Sequence, residues 1–296
     1  MGALDGRVAI ITGAGRGLGR EHALLFASEG AQVVVNDLGG DQAGGGADAT
    51  PAQQTVDDIR AMGGEAIVNG ENVADWEGAR RLVEQAIDTF GDLHILVNNA
   101  GILRDRVVVN MTEEEWDSVV RVHLKGHFAP THFAANYWRD QTKSGREINA
   151  AIVNTTSTSG LFSNPGQANY DAAKSGIATL TQVLAKELVR YGVRANAIAP
   201  GARTRLTLST PGLGDAIGEP EDGSFDEWSP ANVSPFVAYL CTADCTITGE
   251  TFVVRGGSVQ RVQTWTRAEE IEKDGRWTIA ELAGRANELI PAVPIE

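Results

Sequence analysis

Short runs of β-branched and other apolar residues alternate with longer amphipathic segments over about the first two hundred residues, and few folds accommodate that alternation. Arg7–Thr12, Gln32–Asp37, Glu65–Val68, Leu93–Asn98, Ile148–Asn154 and Val193–Ile198 read as strands. Between them the spacing predicts helices over Leu18–Glu29, Gln53–Met62, Trp76–Phe90, Thr112–Thr142 and Ala168–Tyr191. A helix over Pro235–Leu240 and a strand over Thr251–Val254 complete the series. Strands separated by helices pair in parallel through crossovers. Strands without apolar/polar alternation are covered on both faces. The expectation is α/β: one doubly wound domain over residues 1–262 with about seven parallel strands. Residues 263–296 form a short C-terminal helical extension, helical over Ile279–Leu289. Its Trp265 and Trp277 suggest docking on the domain or on a neighbouring subunit.

Composition excludes several functions. No stretch approaches the roughly 20 uninterrupted apolar residues of a membrane helix, so no membrane span is expected. The opening MGALDGRVAI lacks a basic segment followed by a long apolar one, which argues against a secretion signal. Twenty-five basic residues against 39 acidic ones give a net charge of −14, unsuited to nucleic acid. Cys241 and Cys245 cannot build a disulfide scaffold and have no His or Cys neighbours. A cytoplasmic protein without a metal site is therefore expected.

Thr12-Gly13-Ala14-Gly15-Arg16-Gly17-Leu18-Gly19 joins the first strand to the first helix. Gly13, Gly17 and Gly19 allow a tight turn and close approach to a pyrophosphate. The helix N-terminus offers it free N–H groups and a positive dipole end. Asp37 ends the next strand, where an acid can accept both hydroxyls of an adenosine ribose. The turn and the acid together point to nucleotide binding.

Tyr170 and Lys174 stand four residues apart on one helix and share a face. A neighbouring ammonium stabilises a phenolate and is expected to bring the tyrosine toward working pH as a general acid and base. Ser157, at the end of the fifth strand, adds a hydroxyl that can hold a carbonyl oxygen beside the phenol.

With these motifs the chain resembles the short-chain dehydrogenase/reductase family. The TGxxxGxG turn (Thr12–Gly19), NNAG (Asn98–Gly101), the Ser157, Tyr170 and Lys174 set and Pro200-Gly201 occur in that family's order, over about residues 5 to 255. The resemblance implies a Rossmann domain and a homodimeric or homotetrameric enzyme acting on a small-molecule alcohol or carbonyl. Tyr170 would move a proton as nicotinamide gives or takes hydride. Lys174 would also hold the nicotinamide ribose, and Ser157 the substrate oxygen. The nucleotide would be met by Gly13, Arg16, Gly17, Leu18, Gly19, Asp37, Leu38, Asn72, Val73, Asn99, Ala100 and Gly101. Pro200, Gly201 and Thr204 would meet the nicotinamide side.

A narrower likeness is to the (3R)-hydroxyacyl-CoA dehydrogenase part of peroxisomal multifunctional enzymes of type 2. It is carried by Asn36–Asp41, Asn98–Arg106, VHLKGHF (Val122–Phe128) and GQANY (Gly166–Tyr170). It suggests a 3-hydroxyacyl thioester, or a lipid or steroid alcohol, as substrate. His123 stands where the wider family has an asparagine supporting a relay water; its ring could hold that water or simply pack. Asn72 stands where an aspartate usually meets adenine. Between Arg205 and Arg255 lie eight acids and no basic residue, a poor surface for the phosphates of CoA. Leu38–Thr50, rich in glycine, reads as a flexible surface loop.

His94, His127 and His132 read as packing or surface residues. Arg104 and Arg106 are either solvated loop charges or a contact at the site mouth. Arg16 occupies a place where NADP-using relatives carry a basic residue, and Asp37 a place where NAD-using ones carry an acid. The carboxylate both binds the ribose hydroxyls and repels a 2′-phosphate, so NAD is the expected cofactor. The intact Ser157, Tyr170 and Lys174 argue against the other reading, a catalytically silent NAD-binding regulator.

Overall fold

β1 (Val8–Thr12), α1 (Gly17–Ser28), β2 (Gln32–Asn36), α2 (Thr50–Ala61), β3 (Glu65–Asn69), α3 (Trp76–Phe90) and β4 (Ile95–Asn98) alternate as the residue pattern requires. The computed structural model describes residues 2–290 apart from 42, 209–216, 221–222 and 264. After β4 come α4 (Glu113–Val120), a π turn (Arg121–Lys125), α5 (Gly126–Lys143), β5 (Ala150–Thr155), α6 (Thr158–Phe162), α7 (Ala168–Leu188) and β6 (Val193–Gly201). α8 (Arg205–Leu208), α9 (Ser234–Leu240), β7 (Thr251–Arg255) and β8 (Ser258–Val262) complete the first unit, which ends at Val262.

Among the described residues the strands form one sheet in the order β3-β2-β1-β4-β5-β6-β7-β8. β1 to β7 are parallel, and β8 returns antiparallel to β7, with Arg255 opposite Ser258. The expected parallel sheet is thus present with one more strand. β8 escapes the hydrophobic pattern because its side chains, Ser258 to Arg261, are exposed. Its sequence signal is Gly256-Gly257, a two-residue hairpin turn with Gly256 at φ +52°.

Successive strand residues face opposite layers. Ile11, Val33 and Val97 pack with Phe26, Val56 and Val237 on one side; Ile10, Val34 and Leu96 pack with Leu82, Trp138 and Leu184 on the other. Chain order reverses between β1 and β4, so their C-terminal ends part and leave a crevice, the usual ligand position in such sheets.

The single helix expected over Thr112–Thr142 is interrupted. Thr112 and Glu115 form a capping box that starts α4. The ladder then widens into the π turn holding His123, and Pro130, which lacks an N–H, sits within α5. The Leu38–Thr50 segment is not a free loop. Asp48 N–H bonds Leu38 O, Asp41 accepts from Ala43 and Gly45 N–H groups, and Arg104 Nε donates to Ala43 O at 2.9 Å.

The second unit is Gln263–Glu296. Within it Thr278 and Glu281 cap α10 (Ile279–Arg285), a 3-10 turn continues to Leu289, and Trp277 lies between Lys273 and Arg285 at 5.5 and 5.4 Å.

Candidate active site

The crevice at the switch point is a cavity of about 1150 Å³. Gly13, Arg16, Gly17, Leu18, Asp37, Leu38, Asn72, Val73, Asn99, Ala100, Gly101 and Thr204 line it. A Cβ on Gly13 would lie 2.9 Å from the Ala100 Cα, and one on Gly19 only 2.2 Å from Gly13 O. Gly13 and Gly17 also adopt φ of +65° and +55°, which strains any residue with a side chain. Gly19 therefore works from below, letting the helix press against the turn rather than touching the cavity.

Two residues outside the expected set build this cradle. Thr12 Oγ1 accepts the N–H groups of Asn99 (2.9 Å) and Ala100 (3.1 Å), and Asn99 Nδ2 returns a bond to Thr12 O at 3.0 Å. These bonds lock the end of β1 to the NNAG segment. Gly15 N–H donates to Asp37 Oδ2 at 2.8 Å, and a Cβ there would lie 2.8 Å from the same oxygen. Both were legible in the TGxxxGxG run itself.

Asp37 also accepts Gly39 N–H on its other oxygen at 2.6 Å. The carboxylate is thereby fixed at the rim with lone pairs left for two hydroxyls. Arg16 forms no ion pair with it; its charge acts instead on Asp48, whose carboxyl it helps hold below the usual range after the Thr50 hydrogen bonds. The Asn72 amide oxygen accepts Ala74 N–H at 2.9 Å, which leaves its NH₂ group to donate to a base.

Pro200 and Gly201 lie outside the cavity wall. They belong to the end of β6, paired with Val254 and Arg255 of β7, and a Cβ on Gly201 would meet the Arg255 side chain at 3.0 Å. Thr204 does reach the cavity, its methyl lying over the phosphate turn about 3.6 Å from a Cβ placed on Gly17.

Ser157, Tyr170 and Lys174 converge beside the cavity rather than on its wall. Ser157 starts α6, accepting Ser159 N–H at 3.2 Å, and its hydroxyl bonds Tyr170. Lys174 is 2% exposed and donates to Thr155 O at 2.5 Å, with Nζ 5.5 Å from the Tyr170 ring centre. His123 links the two regions. Its ring stands edge-on to Tyr170 at 5.0 Å, and Nε2 lies 2.8 Å from Ile102 O beside the cavity. A Cβ on Gly101 would come within 2.4 Å of that ring.

The electrostatics differ from the sequence expectation. Burial pushes Tyr170 up to about 12, Asp105 and Asp171 push it the same way, and only the Ser157 hydrogen bond opposes them. Burial likewise brings Lys174 down to about 7. Desolvation penalises phenolate and ammonium alike, and Lys174 spends a donor on Thr155 rather than on the phenol. The resting tyrosine is the neutral acid, and the lysine is a poor permanent cation.

Loop charges that read as ambiguous are now placed. Arg104 lines the cavity and reaches Glu114 at 3.5 Å, whereas Arg106 pairs with Glu115 at 3.2 Å. Gln167 donates to Asp105 at 2.7 Å and Asn169 to Arg104 O at 3.0 Å, joining the two motif runs around Tyr170. Cys241 and Cys245 are free and buried, and no group of metal-ligating side chains occurs among the described residues.

Comparison with known proteins agrees with this geometry. The short chain dehydrogenase family model matches residues 7–209. The chain is 42% identical over 287 residues to a hydroxyacyl-CoA dehydrogenase of Mycobacterium tuberculosis, covering 94% of this chain and 87% of that one. It is 48% identical over 241 residues to peroxisomal multifunctional enzyme type 2 of Drosophila melanogaster, covering 81% of this chain but 37% of that longer protein. A short chain dehydrogenase crystal structure from Mycobacterium avium superposes with a TM-score of 0.86 at 48% identity, covering 99% of each chain. Fold, glycine cradle and these relatives together show that the chain belongs to the short-chain dehydrogenase/reductase family, nicotinamide-linked oxidoreductases acting on hydroxyl and keto groups.

Proposed function

We propose that this chain interconverts the 3-hydroxyl and 3-keto forms of an acyl thioester, using NAD. The observation that carries the reading is the meeting of Ser157, Tyr170 and Lys174 at the end of β5, beside a cavity whose floor is a glycine cradle. The cradle fits a pyrophosphate because Cβ atoms would fill it, and the fixed Asp37 carboxylate favours ribose hydroxyls over a 2′-phosphate. Nicotinamide, when bound, supplies the hydride acceptor and donor.

In oxidation the Tyr170 phenolate would take the hydroxyl proton as the bound nicotinamide would accept the hydride of the carbinol carbon, leaving the ketone and, after release from the tyrosine, one proton. Reduction reverses each transfer. The Ser157 hydroxyl, which bonds the phenol in the resting site, turns its one proton to the same substrate oxygen. Because the resting Tyr170 is neutral, reduction starts from the correct protonation state and oxidation must first form phenolate. Oxidation therefore accelerates as pH rises toward the tyrosine's range, while reduction falls as Lys174 loses its charge above about 7.

The thioester rests on the relative named as a hydroxyacyl-CoA dehydrogenase. The acids after Arg205 are partly spent within the fold: Asp226 pairs with Arg203, and Glu227 lies 3.2 Å from Arg255. Arg104, Arg121 and Lys125 line the cavity alongside Asp41, Glu71, Glu113, Glu114 and Asp117, so its wall is of mixed charge. We further place the enzyme in the cytoplasm, where two free buried thiols remain reduced. A dimer or dimer of dimers would cover exposed Trp116, Phe128, Val183 and Val189. The test is a panel of 3-hydroxyacyl-CoA thioesters, steroids and simple secondary alcohols followed by NADH absorbance. Turnover confined to the thioesters supports the reading, and turnover confined to the others refutes the substrate class.

A further inference from the structure

His127 is buried, 1% exposed, on α5 one helical turn beyond His123. Its ring faces the main-chain carbonyls of His123 and Thr155, and its Nε2 is fully buried with no hydrogen-bond partner. Thr155 O is the carbonyl that already receives Lys174. The polar column nearby offers His127 no donor. Asn98 donates to Thr131 (3.0 Å) and Asn154 (2.9 Å), Asn154 to Thr181 (2.9 Å), and Thr131 to His127 O (2.7 Å). Thr155 Oγ1 and Asn98 Oδ1 are also buried without partners. An unpaired buried acceptor is destabilising, and an apolar side chain of the same shape would avoid that cost.

Lys174 has the complementary deficit. An ammonium carries three N–H donors; Thr155 O takes one and the nicotinamide ribose would take another, which leaves one. The groups facing it are Tyr170 on its own helix, His123 and His127 from the π turn and α5, and the Thr155 carbonyl from β5. No carboxylate among the described residues acts on its ionisation. A spare ammonium donor and the unpartnered His127 Nε2 therefore meet beside the Thr155 carbonyl.

We propose that His127 is a positioning residue for Lys174, its Nε2 lone pair accepting the remaining ammonium N–H through one bridging water and holding the lysine charged and aimed. Such a water needs at least two polar partners, and Lys174 and His127 Nε2 supply them. Burial and the neighbouring Lys174 charge keep His127 well below the ordinary histidine range, so it stays neutral, and in the tautomer whose Nδ1–H donates to the His123 carbonyl the lone pair lies on Nε2. The proposal rests on the reading of Tyr170 and Lys174 as the reacting pair.

The test compares the wild type with His127→Phe, which keeps a ring without nitrogen, and with His127→Gln, whose amide oxygen restores an acceptor. Reduction of the ketone reports the charged fraction of Lys174, because Tyr170 stays protonated across the range. In His127→Phe the alkaline limb of kcat should move down by about one pH unit, a tenfold loss of rate above the limb. KM for the ketone should stay within about twofold, and His127→Gln should return the limb toward its wild-type position. His127→Leu repeats the comparison should Phe not be accommodated. An unmoved limb in the apolar variants, even with a lower kcat or melting temperature, overturns the proposal. Titration of the Lys174 side chain by NMR of ¹³Cε-lysine protein needs no turnover and should show the same downward displacement. A displacement seen there in a protein that reduces nothing would keep the His127 contact and refute the proposed function.

Discussion

Lys174→Met should stabilise the protein while abolishing turnover. The lysine is 2% exposed, and its pKa is brought from the usual 10.5 to about 7 by burial alone. Between those values the unfolded chain binds a proton that the folded chain does not, so wild-type stability rises with pH from about 7 to 10.5. At neutral pH the penalty of carrying this lysine is about 4–5 kcal/mol as a ceiling. Methionine has a similar reach and no charge, but it strands Thr155 O, which costs about 1–3 kcal/mol. The net gain is then roughly 1–4 kcal/mol, or a rise in melting temperature on the order of 5 °C. Thermal melts of both proteins from pH 7 to 10.5 provide the assay, with the gap narrowing as pH rises. A variant less stable at pH 7, or a gap independent of pH, would refute the claim that burial sets the lysine.

Other changes probe the nucleotide cradle. Asp37→Ser removes the carboxylate that meets the ribose but leaves Arg16, so the ratio of kcat/KM for NAD over NADP should fall by about 10²-fold; an unchanged ratio would show that Asp37 does not select the cofactor. Gly19→Ala places a methyl 2.2 Å from Gly13 O and should weaken NADH binding by at least about tenfold in a fluorescence titration, with the circular dichroism spectrum intact. Unaltered binding would count against the pyrophosphate site.

The sheet and its helices were legible because buried parallel strands such as Val33–Val35 and Ile95–Val97 carry no polar interruption. β8 was not, since an exposed edge strand has no hydrophobic signature and only its Gly-Gly turn announces it. The π turn was also hidden: Arg121–Lys125 has ordinary helix formers, and tertiary packing around His123 decides the extra residue. The glycine cradle and the Ser157, Tyr170 and Lys174 set could be read directly, because steric need and spacing fix them. His127 reads in sequence as one more buried ring, and only folding brings it to the carbonyl that holds Lys174. The same applies to the tyrosine's ionisation. Spacing shows that a lysine is near, but the desolvation of the phenol that reverses the expected direction belongs to the folded chain.

The most direct measurement of the central claim is NADH formation from a 3-hydroxyacyl-CoA by the wild type and by Tyr170→Phe, with NADH binding measured on both. Loss of the phenolic proton should lower turnover by about 10²-fold or more while leaving NADH affinity within about twofold. Equal turnover in the two proteins would contradict the assignment of Tyr170 as the group that moves the proton.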